Sequence, residues 1–158
     1  MKGGVSGGAL QTRTIMASLL GIDYGSKRIG LAISDAAQRL ALSLNTLDAT
    51  PNMARNVEAI LKVADEHDIE AFVVGLPLNM NDSEGPQAKL IRAFGQALSK
   101  ASQQPVHYQD ERLSSVTADD LLQPGDFTRK KHKARRDRVA AQVILQQFLD
   151  LRGASDRP

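Results

Sequence analysis

Three acidic residues that lie far apart along the chain, Asp23, Glu111 and Asp137, could form one hydrolytic centre. Asp23 follows an apolar strand, and a buried carboxylate is usually paired with a cation because an unpaired one costs several kcal/mol. Three converging carboxylates without a counter-ion would repel one another and take up protons. Mg²⁺ or Mn²⁺ suits an all-oxygen ligand set, and two such ions can activate water and stabilise the leaving oxygen in phosphodiester hydrolysis.

The elements predicted around these acids bring them toward one edge of a sheet. Asp23 ends the first strand and Glu111 follows the last, at the carboxyl ends where open α/β sheets bind ligands. Asp137 is predicted in the first turn of a final helix, 135–151, on its apolar stripe. The alternative is that Asp23 caps a turn and Asp137 favours the helix N-terminus. Glu111 would then pair with Arg112, and the spacing alone leaves both interpretations open.

The hydrophobic pattern predicts an α/β fold with a sheet of mixed direction, opening with antiparallel hairpins and continuing as βαβαβ. A single domain is expected over 18–152, with a disordered leader over 1–17 and a tail over 153–158. Met16 is a candidate for the true start of the chain. The strands are predicted at 19–23, 29–33, 41–47, 69–76 and 105–109, and the helices open at Pro51, at Gly85-Pro86, at about Ser114 and at about Arg135.

The composition excludes several classes of protein. The chain has 158 residues, a formal net charge of +2 and no Cys, so disulfides and thiolate metal sites are ruled out. The absence of Cys is compatible with the reducing cytoplasm. Apolar residues make up 42% of the chain, yet no stretch approaches the ~20 consecutive apolar residues of a membrane helix. The phosphate loop of P-loop NTPases is also absent.

Basic and polar side chains close to the acids are candidates for substrate binding. Lys27 and Arg28 follow the first strand and could neutralise a phosphate, or they could form a solvated hairpin tip. Asn79, beyond the central strand, could orient the substrate or satisfy the backbone of a turn. Arg112 could hold a phosphate or orient Glu111.

The densest basic run directly precedes Asp137, so a nucleic-acid backbone bound there would pass near the acids. A solvated loop is the alternative interpretation of such a run. Aromatic residues are only 4% of the chain, which favours recognition of backbone and shape over base stacking. The candidate substrate-binding residues of this run are Lys130, Lys131, Lys133, Arg135 and Arg136.

Four segments in register resemble the YqgF/RuvX family, described as Holliday-junction resolvases and also as pre-16S rRNA nucleases. They are GIDYGSKRIG at 21–30, VGLPLN at 74–79, DERL at 110–113 and Asp137 with the following Ala140-Ala141. The resemblance covers about 19–151 and implies an RNase H-like fold with a five-stranded sheet flanked by helices. It also implies that Asp23, Glu111 and Asp137 bind the metal. Arg136 departs from the apolar residue expected at that position.

The leading hypothesis is a metal-dependent nuclease on structured nucleic acid, and the resemblance favours processing of the 5′ end of pre-16S rRNA. Resolution of branched DNA is the alternative substrate reaction, and it requires two active sites and therefore a dimer. A non-catalytic module that binds nucleic acid or ribosomal precursor particles is a second class. A third, an actin-like sugar kinase or ATPase, would need a second lobe beyond residue 151. A monomer and a homodimer are both compatible with the sequence, and no membrane partner is expected.

Overall fold

The computed structural model describes the backbone over 17–111 and 129–155, and the side chains over 17–111 and 139–153. The predicted helix at 114–122 therefore lies outside the described residues. The elements are β1 (Ser18–Tyr24), β2 (Arg28–Ser34), β3 (Ala41–Ser43), β4 (Leu47–Asp48), α1 (Met53–Asp65), β5 (Ile69–Leu76), α2 (Pro86–Ser102), β6 (Val106–Asp110) and α3 (Arg129–Ser155).

One mixed sheet forms the centre of the described molecule, with strand order β3-β2-β1-β5-β6. β1 runs antiparallel to β2 and parallel to β5, and β5 runs parallel to β6. The predicted opening hairpin and the parallel βαβαβ arrangement are confirmed. The carboxyl ends of β1, β5 and β6 consequently lie at the same edge of the sheet.

The predicted strand over 41–47 is wrong in one respect, because it is divided into β3 and β4. Both pair antiparallel with β2, with Ala32 opposite Ser43 and Ile29 opposite Leu47. Three residues, 44–46, therefore oppose two residues of β2. The extra residue is a β-bulge that interrupts the ladder, so the sheet has six strands by strict pairing instead of five.

The two helical layers cover opposite faces of the sheet. Leu20, Ile22 and Tyr24 of β1 belong to the apolar cluster that α1 and α2 cover. Leu19 belongs to the cluster that α3 covers. Since side chains alternate along a strand, Asp23 shares the α3 face with Leu19. The central strand β5 is buried except at Glu70, as its nearly continuous apolar run predicts.

The starts of α1 and α2 follow from local chemistry. Asn52 precedes α1 and its side chain accepts a hydrogen bond from the Arg55 N–H at 3.2 Å, so the helix begins two residues after Pro51. Pro86 occupies the first turn of α2, where its missing N–H costs nothing. Within the described residues, no helix combines the length and the apolar composition needed to cross a membrane.

α3 begins at Arg129, six residues before the predicted start, so the placement of Asp137 in the first turn was wrong. With 3.6 residues per turn, Asp137 lies in the third turn. The basic run that precedes it is therefore helical and is not a loop. Lys and Arg are good helix formers, so the basic run can continue the helix whose later turns pack on the sheet.

Candidate active site

The carboxyl groups of Asp23 and Glu111 meet in a side-chain hydrogen bond. Asp23 is the penultimate residue of β1, and Glu111 directly follows β6. These strands lie on either side of β5 and run parallel to it, so their carboxyl ends reach the same edge. The structure thus brings together two of the three acids predicted from the sequence.

Gly75 of β5 lies beside the Glu111 carboxyl and close to α3. A Cβ atom added at Gly75 would lie 3.7 Å from the carboxyl carbon of Glu111 and 2.6 Å from Cδ1 of Ile144. The missing side chain at this position therefore leaves space for Ile144 of α3, while the acid lies at ordinary contact distance. The sequence contained this signal, since Gly75 follows an apolar run and precedes Leu76-Pro77, but no role was predicted for it.

Burial raises the pKa of the Glu111 carboxyl above its ordinary value, and the charge of Asp110 raises the pKa further. The hydrogen bond with Asp23 acts in the opposite direction. Two carboxyl groups can share a hydrogen bond only while one of them holds a proton. A hard divalent cation can replace that proton, because it prefers carboxylate oxygens and neutralises both acids. The donor chemistry of the pair therefore fits Mg²⁺ or Mn²⁺.

The backbone of the third predicted acid, Asp137, belongs to the helix that lies closest to this part of the sheet. A Cβ atom added at Gly21 would lie 2.7 Å from Cβ of Leu145 and 3.2 Å from the carbonyl oxygen of Ala141. Asp137 precedes Ala141 by about one turn. Its side chain lies outside the described residues. Among the side chains the structure describes, no group of three His, Asp or Glu is arranged to hold a metal ion.

The turn between β1 and β2 places basic side chains at the same edge as Asp23. The Gly25 N–H donates to the Arg28 carbonyl at 3.1 Å, and a Cβ atom at Gly25 would lie 2.6 Å from that oxygen. The Ala49 N–H donates to the Lys27 carbonyl at 2.9 Å. The backbone of the turn is thus held on both sides, while the Lys27 side chain is exposed and that of Arg28 is half-buried.

Asn79 closes a turn in the loop that follows β5. Its N–H donates to the Ser83 carbonyl at 2.9 Å, and its Nδ2 donates to Ser83 Oγ at 3.0 Å. Its own carbonyl accepts from the Asp82 N–H at 2.9 Å. Asn79 therefore satisfies the backbone of a turn, as one of its two predicted roles requires. A contact of Asn79 with substrate remains a prediction.

Six further residues are predicted substrate contacts. Arg112 lies outside the described residues. The five basic residues of the run have described backbones within α3, and their side chains lie outside the description; they are Lys130, Lys131, Lys133, Arg135 and Arg136.

A buried asparagine beside β1 was not predicted from the sequence. Asn56 is 3% exposed, and its Nδ2 donates to the Tyr24 hydroxyl at 2.8 Å and to the Thr50 carbonyl at 2.9 Å. Its Oδ1 accepts from the Thr50 N–H at 2.8 Å. The available signal was a polar residue directly before Val57, which lies on the apolar stripe of α1.

The model of the RuvX family, described as Holliday junction resolvase, matches residues 17–151. The chain belongs to this family. A RuvX relative from Chloroflexus aurantiacus, named "Putative pre-16S rRNA nuclease", is 43% identical over 134 residues, covering 85% of this chain and 87% of the relative. A relative of the same name from Gloeobacter violaceus is 44% identical over 143 residues, covering 90% of each chain. Membership places this RuvX chain among nucleases, hydrolases that act on ester bonds.

Two solved structures share the fold of this RuvX chain at low sequence identity. RuvC from T. thermophilus, in complex with a Holliday junction substrate, superposes with a TM-score of 0.55 at 16% identity and covers 90% of this chain and 99% of its own. A second Thermus thermophilus RuvC structure gives a TM-score of 0.52 at 14% identity, over 87% and 97% of the two chains. The expected RNase H-like α/β fold is confirmed.

Proposed function

We propose that this RuvX protein is a metal-dependent phosphodiester hydrolase that processes the 5′ end of pre-16S rRNA. The observation that carries the proposal is the hydrogen-bonded pair of Asp23 and Glu111 at the carboxyl edge of the sheet. The names of the RuvX relatives that are more than 40% identical to this chain support the choice of RNA substrate.

In this proposal Asp23, Glu111 and Asp137 would hold Mg²⁺ or Mn²⁺, as a site for two ions. When bound there, such ions would supply Lewis-acid stabilisation of a phosphoryl oxygen and a lowered pKa of water. The role of the pair is to present two carboxylates in a fixed position. Because the Glu111 carboxyl has a raised pKa, it must release its proton when it becomes a ligand.

The basic residues provide the grip on the nucleic-acid backbone. Lys27 and Arg28 neutralise phosphates beside Asp23, and Arg112 does so beside Glu111. The run within α3 holds the strand that leads to Asp137, by contacts that carry no base sequence. Binding to ribosomal precursor particles and a cytoplasmic location follow as parts of the same proposal, for a protein that acts as a monomer or a homodimer.

The test is cleavage of a pre-16S rRNA 5′ fragment by the purified protein, with product ends mapped by primer extension. We expect Mg²⁺- or Mn²⁺-dependent cleavage that falls more than about 100-fold in Asp23→Asn and Glu111→Gln, since even the outer-shell partners of metal ligands account for 10- to 100-fold. The matched controls are Asp48→Asn and Glu58→Gln, which change exposed acids. Equal cleavage by the wild type and Asp23→Asn would contradict the proposal.

Resolution of branched DNA is the second candidate function. It is supported by the description of the family and by the fold shared with a RuvC bound to a Holliday junction. Symmetric resolution needs two active sites and therefore a dimer. The same variants assayed on a four-way DNA junction, with the oligomeric state measured in parallel, decide between the two substrates. Binding without any product on either substrate would instead identify a non-catalytic module.

A further inference from the structure

A cavity of about 220 Å³ opens beside the β1–β2 turn, on the face of the sheet opposite to the acid pair. Its lining includes Tyr24, Ser26, Thr50, Met53, Gln87 and Leu90. Tyr24 directly follows Asp23 on β1, and consecutive residues of a strand project to opposite faces. The cavity and the acid pair therefore lie on either side of one strand end.

The wall of the cavity is rigid because its polar groups are already fixed. The Tyr24 ring stacks on Phe94 with 3.8 Å between ring centroids and an interplanar angle of 11°. Asn56 holds the Tyr24 hydroxyl at 2.8 Å and accepts from the Thr50 hydroxyl at 3.0 Å. These contacts join the wall of the cavity to α1 and α2.

The chemistry of the lining selects a neutral ligand of modest size. None of the nine residues that line the cavity carries a charge, and the lining combines apolar Met53 and Leu90 with hydrogen-bonding Ser26 and Gln87. Sites for complete ligands have volumes of roughly 300–1,000 Å³, so this cavity suits a single ring system. An unpaired nucleobase combines a flat apolar body with a polar edge and fits that description.

We propose that the cavity binds the base of one unpaired nucleotide beside the scissile phosphate, an inference that rests on the proposed nuclease function. Ser26 lines the cavity, and the exposed Lys27 follows it on the turn. A strand that placed a phosphate near Lys27 and Asp23 would have a base within reach of the cavity. The fold would then prefer substrates that release one base from pairing and stacking. The chain has few aromatic residues on which a base could stack, and insertion of a base into the cavity would supply a base contact in their place.

The proposal is tested by binding without catalysis, using an RNA hairpin with a single-stranded flank in EDTA at one salt concentration. Each nucleotide of the flank is replaced in turn by an abasic nucleotide. We expect one position at which removal of the base weakens binding by about tenfold or more, the scale of one buried or stacked base. Gln87→Trp fills the cavity mouth and should abolish this dependence. Gln96→Trp, at an exposed position of the same helix, should retain it.

Leu90→Trp provides an independent variant, since Leu90 is 43% exposed and tolerates a larger side chain. No base dependence in the wild type, or a dependence unchanged in both Gln87→Trp and Leu90→Trp, would overturn the proposal. Cleavage with Mg²⁺ but without base dependence would remove the cavity's role and leave the nuclease function standing. Base-dependent binding without cleavage under any metal would support the role of the cavity and contradict the nuclease function.

Discussion

Asp23 and Glu111 share a side-chain hydrogen bond, which requires one of the two carboxyl groups to hold a proton unless a cation replaces it. Burial of Glu111 makes that requirement stricter, because a buried charge without a partner costs far more than an exposed one. The pair proposed to bind the metal therefore lowers the stability of the metal-free folded state at neutral pH. A site of this kind is expected to gain stability when its metal binds.

The raised pKa of Glu111 predicts how metal-free stability depends on pH. A carboxyl whose pKa is higher in the folded state contributes stability below its unfolded pKa, here near 4.5, and loses it as pH rises through the raised folded pKa. In EDTA, raising the pH from about 4.5 through the raised pKa of Glu111 should lower the thermal midpoint of the wild type relative to that of Glu111→Gln.

Thermal unfolding from acid to neutral pH measures this difference, with Glu58→Gln as the control for loss of an exposed acid. Mg²⁺ should raise the midpoint of the wild type at neutral pH and leave that of Glu111→Gln nearly unchanged. Parallel pH curves for the wild type and Glu111→Gln would contradict the prediction.

At the scale of elements, α3 lies so close to the sheet that an added Cβ at either of two strand glycines would meet atoms of the helix. At Gly21 an added Cβ would meet Cβ of Leu145 and the backbone of Ala141, which cannot move without the helix. At Gly75 the nearest atom is the terminal Cδ1 of Ile144, which can rotate away. The close approach is therefore fixed mainly at Gly21, two residues before Asp23.

Gly21→Ala should destabilise the fold by about 1–3 kcal/mol, the usual cost of overpacking. Gly75→Ala should cost less in stability, although its Cβ would lie near the Glu111 carboxyl. Urea unfolding of both variants measures the order. If Gly75→Ala proves the more destabilising, the contact of α3 with β1 is looser than the structure shows.

Two glutamines of α3 attach the helix to the edge strand β3. Gln146 Oε1 accepts from the Ala41 N–H at 2.8 Å, and Gln142 Nε2 donates to the Ala41 carbonyl at 3.0 Å. The Gln146 Nε2 also donates to the Arg39 carbonyl at 2.9 Å. These side chains satisfy backbone groups that an edge strand would otherwise leave available for pairing with another chain.

Gln146→Ala should cost about 1–3 kcal/mol, because the buried Ala41 N–H loses its acceptor. Amide hydrogen exchange at Ala41 should accelerate more than exchange at residues of β5. Gln96→Ala, on the exposed side of α2, is the control and should leave both quantities unchanged. Unaltered exchange at Ala41 in Gln146→Ala would show that water replaces the glutamine without cost.

The sequence predicted these elements where one physical signal dominated. The apolar runs of β1, β2 and β5 determine their strands, and the Pro86 signal determines the start of α2. The bulge between β3 and β4 was missed because register depends on the partner strand. The first turns of α3 were missed because a run of Lys and Arg is equally compatible with a solvated loop.

The sequence predicted which strand ends carry the acids of the site, but not the contacts around them. The position of Asp23 and Glu111 after parallel strands follows from topology, and their approach to each other is what the structure displays. The space at Gly75 depends on the distance between α3 and the sheet, which no local pattern encodes. The polar bonds of Asn56 likewise join segments that are separate in sequence.

Taken as a whole molecule, the described chain concentrates its chemistry at one edge of the sheet. The acid pair lies on the α3 face, the neutral cavity on the α1–α2 face, and the turn with exposed Lys27 between them. Under the proposed function, a nucleic-acid strand that crosses this edge would meet all three features. The opposite edge, near His67 and Asp68, has a polar depression of about 430 Å³.

The parallel placement of β1, β5 and β6 also bears on how the protein is made. Asp23 emerges early from the ribosome, and Glu111 emerges only after two crossover helices have been synthesised. A nascent chain that stops before β6 has one acid and no partner for it. Translation therefore brings the two acids together only once the central sheet is nearly complete, so under the proposed function an unfinished chain would lack the paired centre.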